Sequence, residues 1–155
     1  MEYRHILGAT DFSPLGDLAL RRAARLAVER GCKLTAMTVL PQPEMPSPLI
    51  SHYEVKTGEG QRERARQAAI AALKERLEPE LGDVQLAVEY VVRVGDPADE
   101  ILRADGQLSP DLIVLATHGR RGLQRFIMGS VCERVVQLAE ADVLAVRERL
   151  DEPVE

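Results

Sequence analysis

The segment that most restricts the fold is a run of five apolar residues, Leu112 to Ala116, in the second half of the chain. A short, uniformly apolar run between turn-forming residues is typical of a strand buried on both faces of a parallel sheet. Residues 117–122 follow it with two glycines and two arginines, and a helical pattern starts at Gly129-Ser130. This order of strand, glycine loop and helix N-terminus favours anion binding, because glycine lets the backbone approach a ligand and the first helical N–H groups point at it.

The rest of the chain alternates between apolar segments and amphipathic helical patterns. The predicted strands lie at about 3–9, 33–40, 83–94, 112–116 and 142–147, and the predicted helices at about 14–30, 59–78, 97–105 and 129–139. The order βαβαβαβαβ predicts one α/β domain over residues 1–149, with an open, mainly parallel five-stranded sheet and helices on both faces, a Rossmann-like arrangement. Residues 150–155 are predicted to be a frayed acidic tail. Ligands of such sheets bind beyond the carboxyl ends of the strands, where the strand order reverses.

Local signals set several of these boundaries. Ser13 and Asp96 each precede a proline, so both are predicted N-caps. Gly31 is the predicted stop of the first helix. Residues 41–48 contain four prolines, and we predict a surface loop there that extends to about Thr57.

The glycine loop also carries a family resemblance. Its pattern, Ala116-x2-Gly119-x9-Gly129-Ser130, resembles the nucleotide loop of the universal stress protein family, whose ATP-binding members carry Gly-x2-Gly-x9-Gly-Ser/Thr. Alanine at position 116 is the departure from that pattern. The family has the same order of elements, so the resemblance covers roughly residues 3–147. It implies a stress-response regulatory protein that binds ATP together with Mg²⁺ or Mn²⁺.

The resemblance also implies a set of cofactor-binding residues from three parts of the chain. They are Ala9, Thr10 and Asp11 after the first strand, Val39 at the end of the second, and Leu115, Ala116, His118, Gly119, Arg120, Arg121, Gly129, Ser130 and Val131 around the glycine loop. In the family, the carboxylate that matches Asp11 contacts the nucleotide sugar and can assist a divalent ion. From the residues alone, Asp11 could equally cap the turn before the first helix. Val39 matches a residue that packs on adenine, although its pattern alone favours the core.

Positive charge and a hydroxyl group lie close together near the last helix. Arg120, Arg121 and Arg125 place three positive charges within six residues of an otherwise acidic protein. Loops accumulate charge for solubility, but a position beside a helix N-terminus favours compensation of triphosphate charge. Ser130 is either an ordinary N-cap or part of a phosphate site with Gly129.

The histidines and cysteines give no separate site. His118 has no metal-ligand spacing to His5 or His52, so no metal ligands are assigned. In the family, the matching histidine sits beside the phosphates. Cys132 falls in the first turn of the last helix, where a helix dipole can lower a thiol pKa. A buried apolar role is the commoner one, and we assign Cys132 no function.

Composition and missing motifs exclude several classes of protein. The net charge of -5 and the pI of 5.3 argue against a nucleic-acid binder. No apolar run approaches the roughly 18 residues of a membrane span, and the two cysteines indicate a reducing cytoplasm. The chain lacks the Gly-x4-Gly-Lys-Ser/Thr, Gly-x-Gly-x2-Gly and Gly-x-Ser-x-Gly motifs of other nucleotide or hydrolase folds.

Three functions remain open at this point. The first is an ATP-binding regulatory module with an unknown protein partner. The second is a nucleotide-free protein-interaction dimer of the same fold, which Ala116 favours. The third is a slow ATP-hydrolysing enzyme, against which stands the lack of an evident nucleophile–base pair in the motif. We expect a homodimer through the apolar edge segment Val143-Leu144-Ala145-Val146, because an unpaired apolar edge is an aggregation hazard.

Overall fold

The computed structural model describes residues 2–42, 51–119 and 128–148, and it has the predicted alternation of strands and helices. The strands are β1 (His5–Ala9), β2 (Lys33–Leu40), β3 (Val88–Val94), β4 (Leu112–Ala116) and β5 (Asp142–Val146). The helices are α1 (Pro14–Arg30), α2 (Ser51–Leu81), α3 (Pro97–Leu108) and α4 (Ser130–Leu138). The α/β fold predicted from the sequence is therefore confirmed.

The five strands form one sheet in the order β3-β2-β1-β4-β5, and every adjacent pair is parallel. From β1 the chain proceeds outward to β2 and β3, then returns to the other side of β1 for β4 and β5. The strand order therefore reverses between β1 and β4. In an open parallel sheet, the carboxyl ends of these two strands form the crevice in which ligands bind.

The sheet is covered on both faces. Side chains of α1 and α2, among them Leu20 and Leu73, pack on one face with Ile6 and Val114 of the sheet. A second apolar cluster lies on the other face. Its main members are Leu7, Met37, Ile113, Ile101 of α3, and Cys132 and Val135 of α4. The two cores hold β1 and β4 from both sides, so their carboxyl ends form a rigid edge.

The predicted helix caps are confirmed. Ser13 has an extended backbone, and its hydroxyl oxygen accepts the N–H of Gly16 at 3.0 Å. Asp96 caps α3 by accepting the N–H of Asp99 at 3.0 Å. Gly31 ends α1 in the left-handed conformation, at φ 61°.

Some predicted boundaries are wrong. Helix α2 begins at Ser51 and not near residue 59, so the predicted loop does not continue to Thr57. The prolines oppose a helix only as far as Pro48. Strand β3 begins at Val88 and not at Asp83, because its partner β2 first pairs with it through Leu34.

One further difference from the predicted boundaries is small, and two predicted segments lie outside the residues that the structure describes. Helix α3 continues three residues past Asp105 to Leu108, and its C-cap Ser109 adopts a left-handed backbone at φ 46°. The predicted acidic tail at 150–155 and the proline-rich residues 43–48 lie outside the described residues. Within the ranges that are described, no helix is both long enough and apolar enough to cross a bilayer.

Candidate functional site

The structure brings Asp11 and Gly119 together at the strand-order reversal. Asp11 comes two residues after β1, and Gly119 comes three residues after β4. A Cβ atom added to Gly119 would lie 2.6 Å from Asp11 Oδ2. The other carboxylate oxygen, Oδ1, accepts the backbone N–H of Ser13 at 2.9 Å. An exposed carboxylate and the glycine loop therefore share one end of the crevice.

Backbone contacts fix where the loop after β4 begins and ends. The N–H of Thr117 donates to the carbonyl of Val146 at 2.9 Å, which continues the pairing of β4 with β5. The carbonyl of Thr117 in turn accepts the N–H of Gly129 at 2.6 Å. The start of α4 is thereby held directly against the carboxyl end of β4.

Gly129 lies where a side chain would be crowded by the neighbouring backbone. Its backbone is extended, at φ -66° and ψ 154°, which any residue can adopt. A Cβ atom there would, however, lie 3.1 Å from the Thr117 carbonyl oxygen and 3.2 Å from His118 Cα. Both neighbours are backbone atoms, so they cannot turn aside as a side chain can.

The first turn of α4 offers donors to an anion. Gly129 is the N-cap and makes no side-chain cap bond, so the interpretation of Ser130 as an ordinary N-cap is wrong. Ser130 is the first helical residue and is exposed. The N–H of Glu133 donates to Gly129 O at 2.9 Å. The N–H groups of residues 130–132 precede that bond and have no carbonyl of the helix to pair with. They are the kind of donors that bind phosphate at helix N-termini.

Several predicted site residues have side chains in the core. Ala9 and Leu115 are buried in the cluster between the sheet and α3 and α4, and Val39 and Val131 are partly buried against it. Packing alone accounts for these four side chains.

Thr10 and the residues around it tie β1 to β2 at the site. Thr10 is buried, and its N–H donates to Met37 O at 3.0 Å. The hydroxyl of Thr38 donates to the carbonyl of Thr10 at 2.8 Å. Thr10 therefore holds the chain that leads to Asp11 in a fixed position.

The two residues at the base of the loop have ordinary surroundings. Ala116 is the last residue of β4, is paired in register with Val146, and packs partly buried on the α1 side of the sheet. The half-buried His118 has its Nδ1 at 3.2 Å from the hydroxyl oxygen of Thr117. Arg120, Arg121 and Arg125, which were predicted to offset phosphate charge, lie outside the described residues.

Two ionisable side chains of α4 have surroundings that explain them without a ligand. Arg134 donates to Asp96 at 3.1 Å and to Asp99 at 2.5 Å. Both contacts raise the pKa of the guanidinium, and the contact with Asp99 contributes most. Cys132 is buried, and its burial raises the pKa of the thiol, so no reactive thiolate is favoured. In the described portion of the chain, no three acidic, histidine or cysteine side chains gather as a metal-binding group.

Sequence reasoning missed two residues of this site. A Cβ atom on Gly16 would lie 2.5 Å from Asp11 Oδ1 and 2.9 Å from Thr10 Oγ1, so α1 approaches the carboxylate at a glycine. A glycine in the first turn of a helix is unfavourable and was the available signal. Thr117 acts through its backbone, for which the sequence offers no signal.

Comparison with known proteins identifies relatives along nearly the whole chain. A model of the universal stress protein family matches residues 2–147. Universal stress protein MJ0577 of Methanocaldococcus jannaschii is 25% identical over 156 residues, which span 95% of this chain and 96% of the relative. Universal stress protein MJ0531 of the same organism is 31% identical over 152 residues, which span 94% and 82% of the two chains.

Solved structures share the fold. A universal stress protein in complex with cAMP has a TM-score of 0.69 at 22% identity and covers 96% of this chain and 100% of its own. The universal stress protein of Archaeoglobus fulgidus in complex with dAMP has a TM-score of 0.63 at 21% identity and covers 95% and 100%. Both are bound to adenine nucleotides.

Proposed function

This chain belongs to the universal stress protein family, and we propose that it binds ATP with a divalent cation in the crevice between β1 and β4. One observation supports this above all others: Asp11 and Gly119, which are far apart in sequence, meet where the strand order reverses, and Gly129 packs against Thr117 and His118 just before Gly119. The family motif predicts nucleotide contacts at these positions. The cAMP and dAMP complexes of fold neighbours support an adenine nucleotide as the ligand class.

The arrangement suits the parts of such a ligand. The N–H groups of the first turn of α4 are suited to the phosphates, and the hydrogen bond from Gly129 N–H to Thr117 O holds that turn at the carboxyl end of β4. The exposed Asp11 carboxylate can accept hydrogen bonds from a sugar hydroxyl, and the partly buried Val39 at the end of β2 is an apolar side chain suited to contact a base. Mg²⁺ is commonly held by one or two carboxylates together with substrate phosphates, so the lack of an all-protein cluster in the described residues is compatible with the proposed cation.

We place this activity in the cytoplasm and assign the protein a regulatory role through a partner protein not yet identified. Mass spectrometry of the small molecules released when freshly purified protein is denatured tests the ligand. We expect an adenine nucleotide in amounts approaching one per chain. Protein that carries none and does not bind added Mg-ATP at millimolar concentration would favour a protein-interaction function without nucleotide.

The alanine at position 116 is expected to weaken binding without preventing it. Ala116 lies in an extended strand, keeps its backbone hydrogen-bonding groups, and directs one methyl group toward the α1 side of the sheet. Overpacking of this kind costs about 1–3 kcal/mol, which corresponds to roughly tenfold or more in affinity. Calorimetry with Mg-ATP should therefore show binding by the natural protein, and binding by Ala116→Gly that is tighter by about tenfold or more. If only the glycine variant binds at millimolar nucleotide, the natural protein is not an ATP binder.

We also propose a homodimer through β5, the strand at one edge of the sheet. Leu144 in this strand is 36% exposed, and three further exposed apolar side chains lie nearby in the sequence: Met128, Val136 and Leu138. An apolar edge of this kind is stable in water when it pairs with a second copy about a two-fold axis.

Leu144→Lys is expected to convert the dimer to a monomer, because lysine places a charge in the proposed contact. Sedimentation or light scattering across a range of protein concentrations measures the mass. Val84→Lys is a suitable control, since Val84 is 50% exposed and lies before β3, at the other side of the sheet. A natural protein that is monomeric at all concentrations would refute the dimer.

A further inference from the structure

The residue after Asp11 has an unusual backbone conformation. Phe12 is left-handed, at φ 62°, and Ser109 is the other non-glycine residue with positive φ in the described ranges. A bulky side chain rarely adopts this conformation unless surrounding contacts hold it there. The conformation of Phe12 sets the direction of the chain immediately after Asp11, so whatever holds it also helps to place the carboxylate.

A closed set of contacts holds Phe12. Its N–H donates to Thr10 Oγ1 at 2.9 Å, and that hydroxyl donates to Asp17 Oδ1 at 3.0 Å. The other oxygen of Asp17 accepts the Nε–H of Arg76 at 2.9 Å. The guanidinium of Arg76 also lies over the Phe12 ring, 4.6 Å from its centroid, and donates to Ala72 O at 3.2 Å within α2. Arg76 therefore contacts both the ring of Phe12 and the acid that orients Thr10.

The same two helices offer a comparison for this contact. Arg25 of α1 pairs with Glu80 of α2 through two hydrogen bonds, at 2.6 and 3.1 Å. Its side chain is 63% exposed, whereas the Arg76 and Asp17 side chains are 28% and 16% exposed. Both pairs join α1 to α2, but the Arg76 pair adjoins the turn after β1. The Arg25 pair can therefore serve as a matched control for helix docking.

We propose that Arg76 is a positioning residue for the nucleotide site. From α2 it holds residues 10–13 in the conformation that places the Asp11 carboxylate against Gly119. It acts through Phe12 and Asp17 and does not itself contact the ligand. The proposal rests on the proposed function for its effect on affinity, but its effect on the turn does not depend on a ligand.

Binding measurements test the coupling to the ligand. Arg76→Ala should weaken Mg-ATP binding by about three- to tenfold, a range typical of losing one partly buried charged contact. Arg25→Ala should leave the affinity unchanged. In an Asp11→Ala background, Arg76→Ala should cause no further loss, because the residue through which it acts is gone. Losses that add in the double variant would contradict the proposal.

Hydrogen exchange tests the turn without any ligand. The amides of Phe12 and Ser13 donate to side chains inside this turn. Their NMR-measured exchange rates should rise by about threefold or more in Arg76→Ala and stay unchanged in Arg25→Ala, because local opening governs amide protection. Equal rates in the two arginine variants would overturn the proposal.

A conservative variant guards against misfolding. Arg76→Lys keeps a cation near Asp17 but loses the planar group over Phe12, so its exchange rates and affinity should fall between the natural protein and Arg76→Ala. A lysine variant no closer to the natural protein than the alanine variant would overturn the proposal. If the natural protein binds no nucleotide, the proposed function is wrong, while the exchange rates still decide the role of Arg76 in the turn.

Discussion

Gly129→Val is expected to abolish nucleotide binding while the protein stays folded. The added Cβ would meet the carbonyl oxygen of Thr117 at 3.1 Å and the Cα of His118 at 3.2 Å, so the start of α4 must shift away from the end of β4. The two further methyl groups of valine would need still more space there, so the shift would move the helix turn that we propose binds phosphate. A loss of at least about 100-fold in Mg-ATP affinity, roughly 2.7 kcal/mol, is the expected result in calorimetry.

The matched control for this experiment is Gly106→Val. Gly106 is an exposed residue of α3, and a Cβ atom there would meet nothing within 4 Å. This variant should bind Mg-ATP as the natural protein does. Circular dichroism and the melting temperature establish that both variants are folded. A folded Gly129→Val protein with unchanged affinity would remove the glycine loop from the nucleotide site.

Gly8→Val is expected to destabilise the protein by forcing a side chain between the sheet and α1. Gly8 pairs with Ala36 on one side and Val114 on the other, so it lies in the middle strand of the sheet. A Cβ atom there would be 2.7 Å from the Cβ of Ala23 and 3.3 Å from Leu20 Cδ1. Helix α1 would have to move away from the sheet, and overpacking of this kind costs about 1–3 kcal/mol or more. That cost exceeds the gain of up to about 1 kcal/mol from the β-propensity of valine.

Urea unfolding measures this loss, and Gly106→Ala is its control. Alanine in an open helical position should raise the free energy of unfolding by about 0.5–1 kcal/mol. The two glycine substitutions should therefore change stability in opposite directions. If Gly8→Val is as stable as the natural protein, α1 does not pack against β1 as closely as the structure shows.

Much of the fold could be predicted because its strongest signals are local. The apolar run at 112–116 and the Ser13-Pro14 and Asp96-Pro97 pairs each define a boundary through short-range physics. The predictions failed where the first residue of a strand or helix depends on contacts with another part of the chain. Strand β3 starts only where β2 can pair with it, and α2 starts at Ser51, inside the loop that was predicted to reach Thr57.

The candidate site divides in the same way. Parallel strands bring their carboxyl ends to one edge, so the sequence could place Asp11 and Gly119 near each other. The sequence could not explain why a glycine stands at position 129. The structure gives the nearby backbone of Thr117 as the reason, and not a positive φ. The contacts of Arg76 on Phe12 join residues more than sixty positions apart, and no local pattern predicts them.

The central claim is that the crevice between β1 and β4 binds ATP with a divalent cation. Calorimetric titration of nucleotide-free protein with Mg-ATP tests it most directly, with Gly129→Val titrated in parallel. We predict saturable binding of one nucleotide per chain below millimolar concentration, and no binding by the variant. No heat of binding to the natural protein at millimolar Mg-ATP, or equal binding by both proteins, would contradict the claim.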